Sequence, residues 1–187
     1  MLVNHYFPTI IGSGDIPDFF EIRKEFQDNT DAISKLMQAD VFGDNVYSTN
    51  KSVRCLIKEL NLLKTKDVIN RLFYEYKHNI PKFKNANMVL YQSWFNITEP
   101  GGFQDMHTHA FDELAGCFYL DIPEDSGNIE FAPLVELASP HSRESFTPYS
   151  GMYVFFPGDV LHRVTYNKSS YQRISFAFNY KIKYDLV

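Results

Sequence analysis

Pro81 divides the chain by the period of its apolar residues. Before it, they recur at the three- and four-residue spacing of a helix: Phe19, Phe20, Ile22, Phe26, Ile33 and Leu36, then Leu56, Leu60, Leu63, Val68, Ile69, Leu72, Phe73 and Tyr76. The stretch from Gly43 to Ser52, rich in Gly, Asn, Ser and Thr, reads as a loop between two helical segments that open at Pro17 and at about Val53. Asn79-Ile80-Pro81 ends the second, because the residue before a proline is pushed out of the helical basin. After Pro81 the helical spacing does not return. Asn87–Asn96, Gly116–Ile122, Asn128–Leu134, Gly151–Pro157 and Gln172–Tyr184 are short apolar or alternating runs, and Pro123-Glu124-Asp125-Ser126-Gly127 is a turn composition between two of them. Short strands at this spacing predict a sandwich or a barrel, with the helical first third packed outside it.

Composition narrows the function. Eighteen basic against 23 acidic residues give a net charge of −5, which argues against nucleic acid and anionic lipid as partners. Seventeen Phe and 12 Tyr carry the aromatic share to 16%, as a thick sheet-lined core requires. Cys55 and Cys117 are too few for a disulfide scaffold or a cysteine zinc site, and each sits in an apolar run as a reduced, buried thiol would. The first residues lack both a basic region and an apolar run, and no apolar run reaches the ~18–20 residues of a membrane span, so the expectation is a cytoplasmic chain.

Three of the six histidines form a pattern. His107-Thr108-His109 follows Pro100-Gly101-Gly102, and on a strand residues i and i+2 face the same way, so both imidazoles converge on one ion. His162 follows the apolar run Gly151–Phe156 and a Pro157-Gly158-Asp159 turn. A jelly roll lays such a strand beside the one carrying the pair, and a third imidazole completes a facial set with open positions, suited to zinc, copper, iron or nickel. The last strand adds a second clue. From Gln172 to Tyr180 it alternates strictly, with Ile174, Phe176, Phe178 and Tyr180 on one face and Arg173, Ser175, Ala177 and Asn179 on the other. If the polar face looks inward, a guanidinium and a neighbouring hydroxyl are set to hold a carboxylate.

With these residues in view, the chain resembles the Fe(II)/2-oxoglutarate-dependent dioxygenases, and within them a small branch found in marine bacteria and bacteriophages. Phe7-Pro8-Thr9, Ser93-Trp94-Phe95-Asn96, Gly101, the His107/His109 pair, Gly116-Cys117-Phe118-Tyr119-Leu120, Phe155-Phe156-Pro157 with His162, and Arg173-Ile174-Ser175 with Asn179 carry the resemblance. It implies a double-stranded β-helix (jelly-roll, cupin-like) core in a mainly β (α+β) chain. That is a single domain over 1–187, with a strand and helices in 1–80 and the core in 81–187. It further implies Fe(II) on His107, His109 and His162, and 2-oxoglutarate as cosubstrate with its far carboxylate on Arg173 and Ser175. Tyr119 and Gln104 would line the cosubstrate pocket, and the activity would be hydroxylation of a small molecule or a peptide.

The family's usual carboxylate ligand is replaced here by His109. Asp105, on the same strand face, and Glu113 are the candidates for an anionic ligand in its place. A rival reading uses the same residues: Gly101, His107, His109 and Glu113 fit the first cupin motif, and Gly151, Pro157 and His162 the second. Against it stand Leu120 where that motif has glycine, the large helical first third, and an Arg173-x-Ser175 pair with no cupin role. A non-catalytic binding barrel is the third class. Thr98–Met106 and Glu136–Pro148, the latter with His141 and Arg143, are the expected mouth loops.

Overall fold

The structure is a computed structural model that describes residues 9–41, 43–132 and 143–183. Its strands are β1 (Gly12–Asp15), β2 (Gln38–Ala39), β3 (Gly43–Ser48), β4 (Met88–His107), β5 (Glu113–Asp121), β6 (Ile129–Ala132), β7 (Glu144–Phe146), β8 (Met152–Pro157), β9 (Leu161–Val164) and β10 (Arg173–Ile182). Its helices are α1 (Phe19–Asp28), α2 (Thr30–Leu36), α3 (Leu56–Glu59) and α4 (Leu63–Lys77). The strands join one curled antiparallel sheet in the order β1-β8-β5-β10-β4-β9-β6-β7, with β3 added to β4 and β2 to β3.

The period-2 pattern of β10 builds the molecule. Phe176, Phe178 and Tyr180 turn to the convex face, where Phe118, Leu120, Phe155 and Phe95 meet Ile22, Phe26, Leu72 and Phe73 from the helices in the larger core. The odd positions Arg173, Ser175, Ala177 and Asn179 turn into the concavity. Gly116 lies where β5 crosses this layer. A methyl group there would stand 2.4 Å from the Phe178 ring, so the close approach of sheet and ring needs glycine.

The helices are fixed to the convex face by more than apolar contact. α4 has no side-chain cap of its own at Leu62. Glu25 of α1 supplies one: its carboxylate accepts from the N–H of Lys64 (3.0 Å) and Thr65 (2.9 Å) and from the Thr65 hydroxyl (2.6 Å). A carboxylate on those otherwise unpaired N–H groups also opposes the positive end of the helix, so α1 and α4 are locked at one point.

Several expectations need correction. Gly43–Ser48 is strand β3 rather than loop, paired with β4 from Gly43↔Gln104 to Ser48↔Asn96. It shows little apolar patterning because only Val46 and Ser48 are buried. Thr98–Met106 is likewise strand, part of the 20-residue β4, which passes Gly101 at φ +79° without breaking. The two long helical segments are four shorter helices, interrupted at Asn29 and around Leu60. Phe7, Pro8, His141 and Glu136–Ser142 of the second mouth segment lie outside the described residues. Among the described residues no helix is long and apolar enough to cross a membrane.

Candidate metal centre

His107 ends β4 and stands directly opposite His162 on β9 in the strand register. His109 lies two residues past the strand end, so alternation does not hold it. The turn after β8 does. The His109 N–H donates to the Gly158 carbonyl (2.7 Å), and the Gly158 N–H donates to Glu113 O (2.9 Å). A side chain at Gly158 would strike the Ala110 carbonyl at 2.5 Å, so glycine permits this tie. The Pro-Gly-Asp turn therefore positions two of the rings, His162 by sequence and His109 by contact.

One ligand-capable atom from each of the three imidazoles lies within 4.8 Å of the others. The ring centroids are 4.3 Å apart for His107–His162, 5.1 Å for His109–His162 and 5.5 Å for His107–His109. Nδ1 of His107 faces the Asp105 carbonyl (2.7 Å), and Nδ1 of His162 faces the Val160 carbonyl (2.9 Å). A carbonyl only accepts, so each Nδ1 carries the proton and each Nε2 is left with its lone pair for a metal. Burial, then the neighbouring His107, pushes His109 down to about 4; burial, then His107 and His109, pushes His162 down to about 3. Both rings are therefore neutral at pH 7, as metal ligation requires.

His109 has a different partner, one whose role the sequence did not indicate. Its Nδ1 meets Asn179 Nδ2 at 3.2 Å, and that nitrogen also donates to Gln92 Oε1 at 3.3 Å. Asn179 Oδ1 is buried and has no hydrogen-bond partner among the described residues. Half a turn of the amide puts Oδ1 where it accepts from a protonated Nδ1, the tautomer that opens Nε2. The sequence signalled its placement alone, through the alternation of β10, which sets Asn179 on the face of Arg173.

Neither acid joins the cluster. Asp105 is exposed, and its backbone carbonyl is the group that meets His107. Glu113 is 6% exposed, and burial raises its carboxyl above the usual range against the pull of Lys181. Among the described residues the grouping with metal-ligand geometry consists of imidazoles alone. The Glu113 of the cupin pattern is therefore not brought to the histidines.

The same cavity runs on to Tyr119, Arg173 and Ser175. Arg173 is 2% exposed and, among the described residues, no carboxylate lies within ion-pairing distance of it. Its Nη1 donates to the Gly127 (3.1 Å) and Ser126 (3.5 Å) carbonyls, and its guanidinium lies 5.4 Å from the Tyr119 ring centre. Burial pushes the Tyr119 phenol up, so it stays a hydrogen-bond donor, yet its oxygen has no partner among the described residues, and neither has Asn96 Oδ1. Burial likewise pushes the Cys117 thiol up to about 11, and both cysteines are free. An unpaired buried cation beside unsatisfied polar groups costs several kcal/mol unless an anion fills the space. Gln104 lines the cavity too, but its amide turns to Asp40 Oδ2 (3.4 Å).

Comparison with known proteins agrees with this geometry. Residues 92–179 match the model of a putative 2OG-Fe(II) oxygenase family. That stretch, just under half of the chain, is similar to the 2OG-Fe(II) oxygenases. The chain's fold is shared with HygX from Streptomyces hygroscopicus, solved with nickel, 2-oxoglutarate and hygromycin B (TM-score 0.69, 10% identity, 94% of this chain and 84% of that one). It is shared also with a Trichoplax adhaerens prolyl hydroxylase in complex with a hypoxia inducible factor peptide (0.67, 10%, 92% and 83%) and with a Pseudomonas putida prolyl-4-hydroxylase (0.57, 13%, 92% and 92%). No curated protein matches the sequence. The matched family is one of 2OG-Fe(II) oxygenases, and the imidazole cluster is of a kind that could hold a metal ion.

Proposed function

We propose that the chain is a 2OG-Fe(II) oxygenase that hydroxylates a small molecule or a peptide side chain, with His107, His109 and His162 as its iron ligands and Arg173 with Ser175 as its 2-oxoglutarate clamp. One observation carries the assignment of residues. A guanidinium that is 2% exposed lies in one cavity with three converging imidazoles, and among the described residues no carboxylate pairs with it. Two separate chemical needs, a dianion with one end on Arg173 and a cation on the neutral imidazoles, are met by one small oxoacid and one metal.

The donor set fits both groups. Two imidazoles are held by backbone carbonyls in the tautomer that opens Nε2, and the third has Asn179 against its Nδ1. Iron supplies the oxygen chemistry when bound. The protein's part is placement. Arg173 and the Ser175 hydroxyl bind the far carboxylate in a charge-assisted contact. The Tyr119 phenol, protonated at any ordinary pH, offers a further donor to it. Phe156 and Ile129 keep water from the inner wall. Trp94, Gln104 and Asn179 line the approach beside His109, on the side where substrate enters.

Anaerobic titration with Fe(II) and then 2-oxoglutarate tests this directly. A visible charge-transfer band that needs both is expected. Arg173→Ala is expected to raise the 2-oxoglutarate concentration that develops it, while leaving metal affinity intact. A band that develops in Arg173→Ala at the wild-type concentration would overturn the assignment of the clamp.

A further inference from the structure

We infer that the substrate of this site is an organic cation, a primary amine or guanidine on a small hydrophilic molecule or on a peptide side chain. The inference rests on the proposed function, because it takes the imidazole cluster as the reaction centre. A second cavity, of about 200 Å³, opens beside the cluster and shares His107, His109 and Asn179 with the inner one. It has room for roughly seven waters' share of liquid volume, the size of one polar side chain or a single small molecule.

The chemistry of its wall sets the charge of the occupant. Asp40 places a carboxylate there, and among the described residues no lysine or arginine lines the cavity. Backbone contacts hold Asp40 in place: its N–H donates to the Val46 carbonyl (2.8 Å), and its Oδ1 accepts from the Val41 N–H (2.6 Å). Gln104 donates to Oδ2 at 3.4 Å, which links the carboxylate to β4. Carboxamides of Asn50, Gln92 and Gln104 form much of the remaining polar wall. The indole of Trp94, 6.2 Å from the His109 ring centre, closes the side toward the metal centre. A fixed carboxylate and an indole lining one space with several amides suit a cation with further hydrogen-bonding groups, and among the described lining residues no lysine or arginine is there to pair with an anion.

The basic side of the molecule does not compete. A neighbouring cavity of about 320 Å³ contains Arg143 and Arg163, but it touches the inner cavity only through Gln104 and Val164 and reaches no imidazole. Arg163 is committed to Glu130 through Nε and Nη2, both at 2.7 Å, and Arg143 lies 4.0 Å from the same carboxylate.

Trp94 is the one tryptophan of the chain, so its fluorescence reports occupancy of this cavity directly, without turnover. The holoenzyme with Fe(II) and 2-oxoglutarate, kept anaerobic, is titrated with L-arginine and L-lysine, with the neutral analogues L-citrulline and L-norleucine, and with L-glutamate. Short peptides containing Lys or Arg distinguish a side chain from a free amino acid. Saturable change with the cations, ahead of the neutral analogues and absent with glutamate, is expected. Asp40→Asn should weaken the cation response about 10- to 100-fold, the scale of one charge-assisted contact. Asp40→Lys should transfer the response to glutamate, and a thermal midpoint near wild type confirms that each variant is folded. Equal responses to citrulline and arginine, a wild-type preference for glutamate, or no response to any cation would each overturn the inference. The charge-transfer titration above fails only if the proposed function itself is wrong, so the two failures are separable.

Discussion

Lowering the pH from 7 to 5 on the metal-free protein should remove about 3 kcal/mol of stability that belongs to two residues. The unfolded chain protonates a histidine near 6.5. In the folded protein burial holds His109 at about 4 and His162 at about 3, so neither ring takes up a proton until well below pH 5. Over that interval the unfolded state binds more protons than the folded one, and stability falls as pH falls. The contribution is complete above the unfolded value and drains away toward the two folded ones. Each ring contributes between about 1 and 2 kcal/mol by pH 5, against a total stability of about 5–15 kcal/mol. Glu113 works the other way, since burial raises its carboxyl, but that effect is common to every variant that keeps it. Urea unfolding at the two pH values, on wild type and on His109→Gln/His162→Gln with metal removed by chelation, isolates the difference. Wild type should lose about 3 kcal/mol more than the variant. Parallel losses would show that the rings are not held neutral by burial, and the account of the site's electrostatics would fall with them.

Four further outcomes follow from the same geometry. His162→Ala should abolish iron binding, measured by equilibrium dialysis, because it removes the ring that stands opposite His107 in the register. Asn179→Ala should weaken metal affinity about 10- to 100-fold with little change in thermal midpoint, and Asn179→Asp, which keeps an acceptor for His109 Nδ1, should recover much of it. Gly116→Ala should cost about 1–3 kcal/mol by denaturation, since its methyl group meets Phe178 at 2.4 Å. Glu25→Ala should cost about 1 kcal/mol through the lost cap on α4, with the charge-transfer band of the loaded enzyme unaltered.

What the sequence made legible, and what it hid, follows from how each element is buried. β10 was readable because its two faces meet opposite environments, aromatic core on one side and a polar cavity on the other, so the alternation is written in residue type. β3 was not. It lies beside β4 with only β2 beyond it, four of its six residues escape burial, and its Asn, Asp and Ser residues are those of a turn. The histidines were legible as a set because few residue types ligate metals, yet the reason for the pairing was misjudged. His109 owes its position to the Gly158 carbonyl, a long-range backbone contact with no local signature. The roles of Asn179, Gln92 and Asp40 were hidden for a related reason: a side chain that acts by hydrogen bonding to one neighbour has no spacing rule, and its partner is known only once strands are in register.

That distinction bears on how a neutral histidine stands where the wider family places a carboxylate. A carboxylate ligand brings its own charge, whereas His109, as the proposed ligand in that place, would have to be kept in one tautomer by something else. Two of the three rings have rigid backbone carbonyls for this purpose. Asn179 is the group that meets the third, and it differs from them in one respect: an amide offers a donor or an acceptor according to which way it faces. With Nδ2 toward His109, the ring is the tautomer with its proton on Nε2; with Oδ1 toward it, the proton sits on Nδ1 and Nε2 is open. With His109 as a proposed ligand, the orphaned Oδ1 and the shared bond to Gln92, which lines the outer cavity, would make that amide the point where occupancy of the mouth and the state of the ligand meet. Gln92→Leu should therefore alter metal affinity through the lost bond to Asn179. Equal affinity in Gln92→Leu and wild type, measured on folded protein, would cut that link and leave Asn179 acting alone.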